Sequence, residues 1–304
     1  MSSVVIASPA RVAAPAATVP VLARLEMRRY LLHPLFLLGL AGNLVLCATG
    51  PTEDDRAMSS MGYAIAPALL FGVFGIVIMA NLTRRSDRIT VAAGVVPVTE
   101  RTRSLALVAA CAVPFVAGLA WWVWALWAFN DKPPPAAGFP FGPVAGDDVW
   151  VAAVLFGEGP IAALGGPLLG ILVARWLGTR AAPILTAVGV IAFCIVMQGL
   201  FDQVMRIRVI SPWTYFGGPS GVKGDPERML LYTGSPYWWI PYLACLCVLG
   251  VIAILLHDRE QPRGRLFRVA GAVGVLAVIT VLLAMWTGTP ETIANPLPSP
   301  MAGT

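Results

Sequence analysis

Long apolar runs alternate with short polar segments along most of this chain. A helix needs about 20 apolar residues to cross the hydrocarbon core of a bilayer. Seven runs come close to that length or exceed it: residues 35–50, 61–82, 104–129, 149–176, 181–200, 239–257 and 267–287. The fourth is interrupted by Gly157-Glu-Gly-Pro160, and the seventh holds no charge from Val269 to Thr289. The pattern predicts an all-α, polytopic membrane helical bundle with a six-span core and a seventh span.

The composition agrees with membrane insertion. Of the 304 residues, 58% are apolar and 12% are charged, whereas an ordinary soluble domain carries about 25% charged residues. The net charge of +5 does not indicate a nucleic-acid partner, because no compact basic patch with interleaved aromatic residues is present. The five cysteines lie inside apolar runs, where a free thiol behaves as a small hydrophobe. We therefore expect neither a disulfide framework nor a metal site.

The polar segments suggest how the chain is divided. Residues 1–20, rich in Ala, Pro, Val and Ser, predict a disordered tail. Residues 21–257 would form the six-span domain, and residues 258–304 a cytoplasmic loop, the seventh span and a C-terminal tail. Pro34 predicts a break before the first span. The long outer segment 201–238 either lies along the membrane surface or dips part-way into the protein.

The basic residues predict the orientation of the spans. With the N-terminus inside, fifteen Lys and Arg residues fall on inner segments and six on outer ones, as the positive-inside rule requires. The outer segments are acidic by contrast, as in Glu53-Asp-Asp55. Trp121, Trp122, Trp124 and Trp127 suit an aromatic belt at the outer interface. We expect a multi-pass protein of the cell membrane with a cytoplasmic N-terminus.

The largest concentration of positive charge lies between the second and third spans, from Asn81 to Leu105. Two interpretations fit it. It is a cytoplasmic loop whose arginines only fix the orientation, or it contains a short helix that lies across the membrane face and docks into a soluble partner.

A second candidate region lies inside the apolar runs. Glu158 is the only acidic residue well within one, and an ionised carboxylate at the bilayer centre costs about 2.5–3.5 kcal/mol on insertion scales. Either the fourth span begins late, near Gly157, so that Glu158 is at its outer mouth, or Glu158 lines a cavity and contacts substrate or an arginine of 201–238. Asn43 and Gln198 are further candidates for the substrate path, or else form hydrogen bonds between helices.

Small residues recur at helical spacing at Ala162, Gly166 and Gly170. This spacing allows helices to approach closely. It fits packing within the chain at least as well as a dimer interface.

Motifs that would indicate catalysis are missing from the sequence. It contains no phosphate-binding Gly-x-x-x-x-Gly-Lys-Ser/Thr loop, no His-Glu-x-x-His helix and no Gly-x-Ser-x-Gly elbow. The two histidines, His33 and His257, fit interfacial or capping positions better than a base or ligand pair. We expect this chain not to be an enzyme and to hold no cofactor.

Three segments resemble the type-2 exporter permeases of the ATP-binding-cassette (ABC) transporters. Glu26-Met-Arg-Arg-Tyr-Leu-Leu-His-Pro34 is similar to their entry segment, and Val96-Pro-Val-Thr-Glu-Arg-Thr-Arg-Ser-Leu105 to the exit from their first cytoplasmic loop. The long outer segment with Ser211-Pro-Trp-Thr-Tyr215 is also similar. Together these segments cover the chain from about residue 20 to 257. The seventh span departs from the six-span family core.

The resemblance implies the partners and the coupling surface. In that family a permease pairs with a second permease and with two ATPase subunits, which hold the ATP and Mg²⁺. The entry segment and first cytoplasmic loop receive the nucleotide-driven motion. By position, that role falls on Arg28, Arg29, Arg84, Arg85, Asp87, Arg88 and Glu100.

These observations together predict the permease subunit of an ATP-driven exporter in a bacterial cell membrane. Two alternatives remain at this point. A non-transporting membrane protein, such as an anchor or a sensor, would have no ATPase companion. A secondary transporter usually shows internal repeats and several intramembrane charges, and this sequence has one such carboxylate and no evident repeat.

Overall fold

The structure is a computed structural model of the chain. It describes residues 18–49, 65–93, 98–131, 148–199, 209–212, 220–222, 225–231, 234–258, 263–287 and 292–294. The predicted N-terminal tail lies outside the described residues except for its last three, which are helical.

A sharp bend separates the first two helices. Helix α1 spans Thr18–Leu31 and α2 spans Pro34–Thr49, and their axes differ by 60°. Proline is accepted at the first position of a helix but cannot continue one, because it lacks the backbone N–H. The predicted break at Pro34 is confirmed.

The next helical unit extends further than its apolar run. It comprises α3 (Ile65–Pro67), a π-helical stretch π1 (Ala68–Val73) and α4 (Phe74–Ala93). The interpretation of Asn81–Leu105 as a loop, or as a separate helix lying across the membrane face, is wrong for its first half. Neither glycine nor proline occurs between Gly75 and Gly94, and arginine favours helix. The arginines from Arg84 to Arg88 therefore lie on the end of α4.

A polar cap starts the next helix. Thr99 accepts a hydrogen bond from the backbone N–H of Thr102, which caps α5 (Glu100–Ala110). After a turn at Cys111, α6 continues over Ala112–Asp131.

The fourth run is helical throughout. It consists of α7 (Asp148–Phe156), a second π-helical stretch π2 (Gly157–Ile161) and α8 (Ala162–Trp176). The interruption predicted at Gly157-Glu-Gly-Pro160 is thus a π turn. A widened turn accommodates Pro160, whose missing N–H would leave a gap in a regular α-helix.

Three helices and a small sheet complete the described chain. The helices are α9 (Ala182–Gly199), α10 (Pro236–Leu256) and α11 (Arg263–Trp286). The strands β1 (Ser220–Val222), β2 (Asp225–Leu231) and β3 (Thr292–Ala294) form an antiparallel sheet in the order β1-β2-β3. The all-α prediction did not include this sheet.

The described part has the helices of a polytopic membrane bundle. Five helical stretches are long and apolar enough to cross a bilayer, and the bent pair α1–α2 would be a sixth. The apolar part of α9, Ala182–Met197, is shorter than these five stretches. Within the described residues, each predicted run corresponds to one or more helices, and their ends lie within a few residues of the predicted ends except where α4 continues.

Helix α8 packs closely against π1 and α4, and small residues permit it. A Cβ atom on Gly166 would lie 1.9 Å from the carbonyl oxygen of Gly72, and one on Gly170 would lie 2.3 Å from that of Ile76. The repeated small residues of α8 therefore serve packing within the chain.

The outermost helices present apolar side chains outward. On α9, the side chains of Ile184, Leu185 and Ile195 are 60–66% exposed. On α11, Val275 is 61% exposed and Trp286 is 70% exposed. Such a broad apolar surface is what a helix offers to lipid rather than to water.

Candidate functional site: an ion-pair network at the arginine-rich end

Charged side chains from three helices meet at the arginine-rich end of the bundle. Asp87, near the end of α4, accepts hydrogen bonds from Arg103 of α5 at 3.2 Å and from Arg175 of α8 at 2.8 Å. The Arg175 side chain is only 3% exposed, and it also lies 3.4 Å from the hydroxyl oxygen of Ser104. A buried guanidinium requires such partners, because leaving it unpaired would cost several kcal/mol.

Glu100 carries the network to a fourth helix. Its Oε1 lies 3.4 Å from Nη1 of Arg175 and 2.5 Å from Nδ1 of His257, at the end of α10. Arg175 therefore links Asp87 and Glu100, and His257 joins α10 to the same group. The ends of α4, α5, α8 and α10 are connected by side chains rather than by packing alone.

Arg84 stabilises the connection that follows α8. Its two terminal nitrogens donate to the backbone carbonyls of Thr179 at 2.5 Å and of Arg180 at 3.1 Å. These carbonyls belong to the connection between α8 and α9, and the guanidinium provides hydrogen-bond donors to them. Arg84 thus has a structural role in the chain.

The remaining predicted coupling residues lie on the surface of this end. Arg28, Arg85 and Arg88 are exposed. Arg29 is partly buried and pairs with Glu26, one turn earlier on α1, at 2.5 Å. The structure therefore brings Asp87 and Glu100 into one network and leaves three of the arginines accessible.

Four members of this region were not among the predicted site residues: Glu26, Arg103, Arg175 and His257. One signal in the sequence could have indicated them. Each is a charged or titratable residue within nine positions of the end of an apolar run, where such side chains have neighbours from other helices to pair with.

Glu158 lies deep in the fold. It is on π2, ten residues after the start of α7, and is 0% exposed. This burial is within the protein, and the position of Glu158 relative to a membrane, at an outer mouth or along a cavity, stays a prediction. Its neighbours hold the turn tightly, since a Cβ on Gly157 would lie 2.2 Å from the ring of Trp239 and one on Gly159 2.8 Å from the ring of Trp121.

The other two candidates for a substrate path are less informative. Asn43 is 4% exposed, and its amide donates to the carbonyl of Gly39 within α2 at 3.3 Å. This hydrogen bond lies within α2 rather than between helices. Gln198 lies in α9, and its side chain is outside the described part of the chain.

A polar cleft of about 670 Å³ opens beside the network. It is lined by Thr99, Glu100, Arg175, Trp176, Leu256, His257, Asp258 and Arg263. Its size falls in the range of about 300–1,000 Å³ that is usual for small-molecule sites. Within the described residues, no group of three His, Cys, Asp or Glu side chains could hold a metal ion.

No family model, no curated protein and no solved structure matches this chain. The class of the protein therefore follows from its own fold: a helical bundle with five or six helices able to cross a bilayer, and with a charged network at one end.

Proposed function

We propose that this chain is the membrane-spanning permease subunit of an ATP-driven transporter of the ABC type, acting as an exporter in a bacterial cell membrane. It would pair with a second permease and with separate ATPase subunits, which bind the ATP and Mg²⁺. The arginine-rich end would face the cytoplasm. Substrate would move as two permease halves alternate between inward-facing and outward-facing arrangements.

The observation that carries this proposal is the network around Arg175. A partner can drive a permease only if its nucleotide states bind the permease surface differently. The resulting displacement has to reach several spans together. Through Arg175, Asp87 and Glu100, the ends of α4, α5 and α8 are tied to one buried cation, so a displacement of one end is resisted by the others.

The exposed arginines support the same proposal. Arg85 and Arg88 lie on α4 beside Asp87, and Arg28 is exposed on α1. Exposed arginines suit a docking surface, because guanidinium groups form bidentate hydrogen bonds with carboxylates of a partner. A force applied to Arg85 or Arg88 would reach Asp87 directly through the helix backbone.

The test is recovery of the companion ATPase. The tagged chain is purified from its native membranes in mild detergent, the co-purified proteins are identified by mass spectrometry, and ATP hydrolysis of the preparation is measured. We expect an ATPase subunit with the wild-type chain, and at least a tenfold loss of hydrolysis on changing Arg85→Glu together with Arg88→Glu.

The matched control changes two other arginines at the same end of the molecule. Arg265→Glu with Arg268→Glu reverses the same number of charges on α11, where both arginines are exposed, and we expect it to retain hydrolysis. The proposal fails if the wild-type chain is recovered without any nucleotide-hydrolysing companion. It also fails if the Arg85 and Arg88 variant keeps both its companion and normal hydrolysis.

A further inference from the structure

Two recesses of opposite character follow one another along the seam between α8 and α10. The first is an apolar groove of about 340 Å³ lined by Leu168 and Leu172 of α8 and by Leu246, Gly250 and Ala253 of α10, among others. The second is the polar cleft of the network. The groove ends at Leu172 and Ala253, and the cleft begins three residues later on each helix, at Arg175 and Leu256. Three residues correspond to about 4.5 Å along a helix.

Trp176 marks the boundary between the two recesses. Its indole N–H donates to the carbonyl of Ala253 at 3.2 Å, and its ring makes an edge contact with the ring of His257 at 5.6 Å. Ala253 lines the groove, whereas Trp176 and His257 line the cleft. Tryptophan favours the level at which hydrocarbon meets headgroups, so the groove lies at hydrocarbon depth and the cleft at headgroup depth.

The length of the groove suits one leaflet. Its lining runs from Ile161 to Leu172 on one side and from Leu243 to Ala253 on the other, which is about 15 Å at the rise of an α-helix. The hydrocarbon core is about 30 Å thick, so the groove covers half of it. Pro212, from the outer segment, lines the groove as well. An acyl chain of one leaflet therefore matches the groove in depth and polarity.

The cleft offers a positive charge at the corresponding headgroup level. Arg263 lines it, is exposed, and is the first residue of the 24-residue helix α11, where the helix dipole adds to the attraction for an anion. The other charges of the cleft are less available: Glu100 contacts Arg175 and His257, Arg175 is 3% exposed, and Asp258 is 6% exposed. Among the described residues that line the cleft, the most exposed charge is therefore the cation of Arg263.

We propose that the seam between α8 and α10 binds one anionic phospholipid from the leaflet at the arginine-rich end. An acyl chain would occupy the apolar groove, and the phosphate would lie in the cleft beside Arg263. This assignment depends on the membrane location of the bundle and is independent of any transport activity.

Gly250, which lines the groove, has open space where a side chain would begin. A Cβ atom added at Gly250 meets no other atom within 4 Å, so Gly250→Ala, Gly250→Leu and Gly250→Trp form a graded series that occupies the groove. Gly189 on α9 is likewise open and lies outside the groove lining, so Gly189→Trp is the matched control. For the headgroup, Arg263→Gln is paired with Arg265→Gln, which removes a neighbouring exposed charge that does not line the cleft.

The experiment titrates the purified full chain in detergent with phosphatidylglycerol, and with phosphatidylcholine of the same acyl chains, and counts bound lipid by native mass spectrometry. We expect phosphatidylglycerol to bind more tightly. Loss of a contact to a charged group corresponds to about a tenfold or greater loss of affinity, so Arg263→Gln should remove most of the preference for phosphatidylglycerol and Arg265→Gln should keep it. Gly250→Trp should weaken the binding of both lipids about tenfold, whereas Gly189→Trp should change their binding less than twofold.

Several results would overturn the proposal. One is equal affinity of the Gly250→Trp and Gly189→Trp variants for phosphatidylglycerol. Another is an Arg263→Gln variant that prefers phosphatidylglycerol over phosphatidylcholine as strongly as wild type does. Competition by inorganic phosphate that is as strong in Gly250→Trp as in wild type would show an anion site without a lipid. If Gly250→Trp does not fold, the alanine and leucine variants decide: affinity that falls with side-chain size supports the groove, and affinity that does not change rejects it.

Discussion

Arg175 and Asp87 are 88 positions apart in the sequence, and Nη1 of the arginine lies 2.8 Å from Oδ1 of the aspartate. This pair fixes the end of α8 against the end of α4. The same guanidinium lies 3.4 Å from a carboxylate oxygen of Glu100, so one buried cation determines the relative positions of three helix ends.

Replacing this cation should destabilise the bundle. We expect Arg175→Ala to lower the free energy of unfolding by about 1–3 kcal/mol, the magnitude typical for hydrogen bonds to charged groups. Asp87 is 39% exposed, so water can solvate its carboxylate once Arg175 is removed. We therefore expect a loss of stability in the lower half of this range. The measurement is unfolding of the purified protein in detergent, and Arg88→Ala, at an exposed position of α4, should change it by less than about 0.5 kcal/mol. Equal effects of the two variants would contradict a structural role for Arg175.

Close packing between π1 and α8 should not tolerate a side chain at Gly166. A Cβ there would lie 1.9 Å from the carbonyl oxygen of Gly72, and a backbone atom cannot move aside as a flexible side chain can. Overpacking typically costs about 1–3 kcal/mol, and sometimes more, so we expect Gly166→Leu to lower the melting temperature clearly and to reduce the monodisperse fraction on size-exclusion chromatography. Gly189→Leu, where nothing lies within 4 Å, should behave as wild type.

The contact between Glu100 and His257 should have a small but measurable coupling energy. Both side chains are partly exposed, at 26% and 35%, and exposed pairs typically contribute about 0.2–1 kcal/mol. A double-mutant cycle with Glu100→Gln and His257→Ala isolates the pairwise energy. A coupling indistinguishable from zero in unfolding measurements would mean that this contact does not help to hold α10 in place.

The orientation of the bundle can be tested by labelling from one side. Arg101 lies at the arginine-rich end and Thr287 follows α11, and both are exposed. In a chain whose five native cysteines are replaced by serine or alanine, we expect a membrane-impermeant maleimide to label Thr287→Cys in intact cells. Arg101→Cys should react only after the membrane is opened.

The labelling has two informative alternatives. Reaction of Arg101→Cys in intact cells would reverse the assigned orientation. If neither cysteine reacts with the maleimide in intact cells, α11 does not cross the membrane. The bundle then has one span fewer than predicted.

Much of the helical pattern could be predicted from the apolar runs. Helix α10 was expected over 239–257 and is observed over Pro236–Leu256, and α11 was expected over 267–287 and is observed over Arg263–Trp286. The error at α4 has a physical cause. Hydropathy locates the hydrocarbon boundary near residue 82, but a helix ends where its backbone hydrogen bonds end, and nothing breaks them before Gly94.

The site was predicted only in part. The cluster of arginines identified the correct end of α4, and both Asp87 and Glu100 were selected. Arg175 and His257 were not, because each lies at the far end of a separate helix and its partners come from another part of the chain. The hydrogen bonds of Arg84 to the carbonyls of Thr179 and Arg180 could not be predicted either, and its coupling role stays a prediction.

The sequence by itself determined the membrane class, the order of the helices and the break at Pro34, because each of these follows from a local requirement. A run of apolar residues must satisfy its own backbone hydrogen bonds in hydrocarbon, and helix formation within the run does so. Only the tertiary structure decided which charges meet at the arginine-rich end and where the groove beside α8 lies. Those features depend on how α8 packs against its neighbours, and its approach to π1 and α4 is set by Gly166 and Gly170 meeting a neighbouring backbone, which no local pattern specifies.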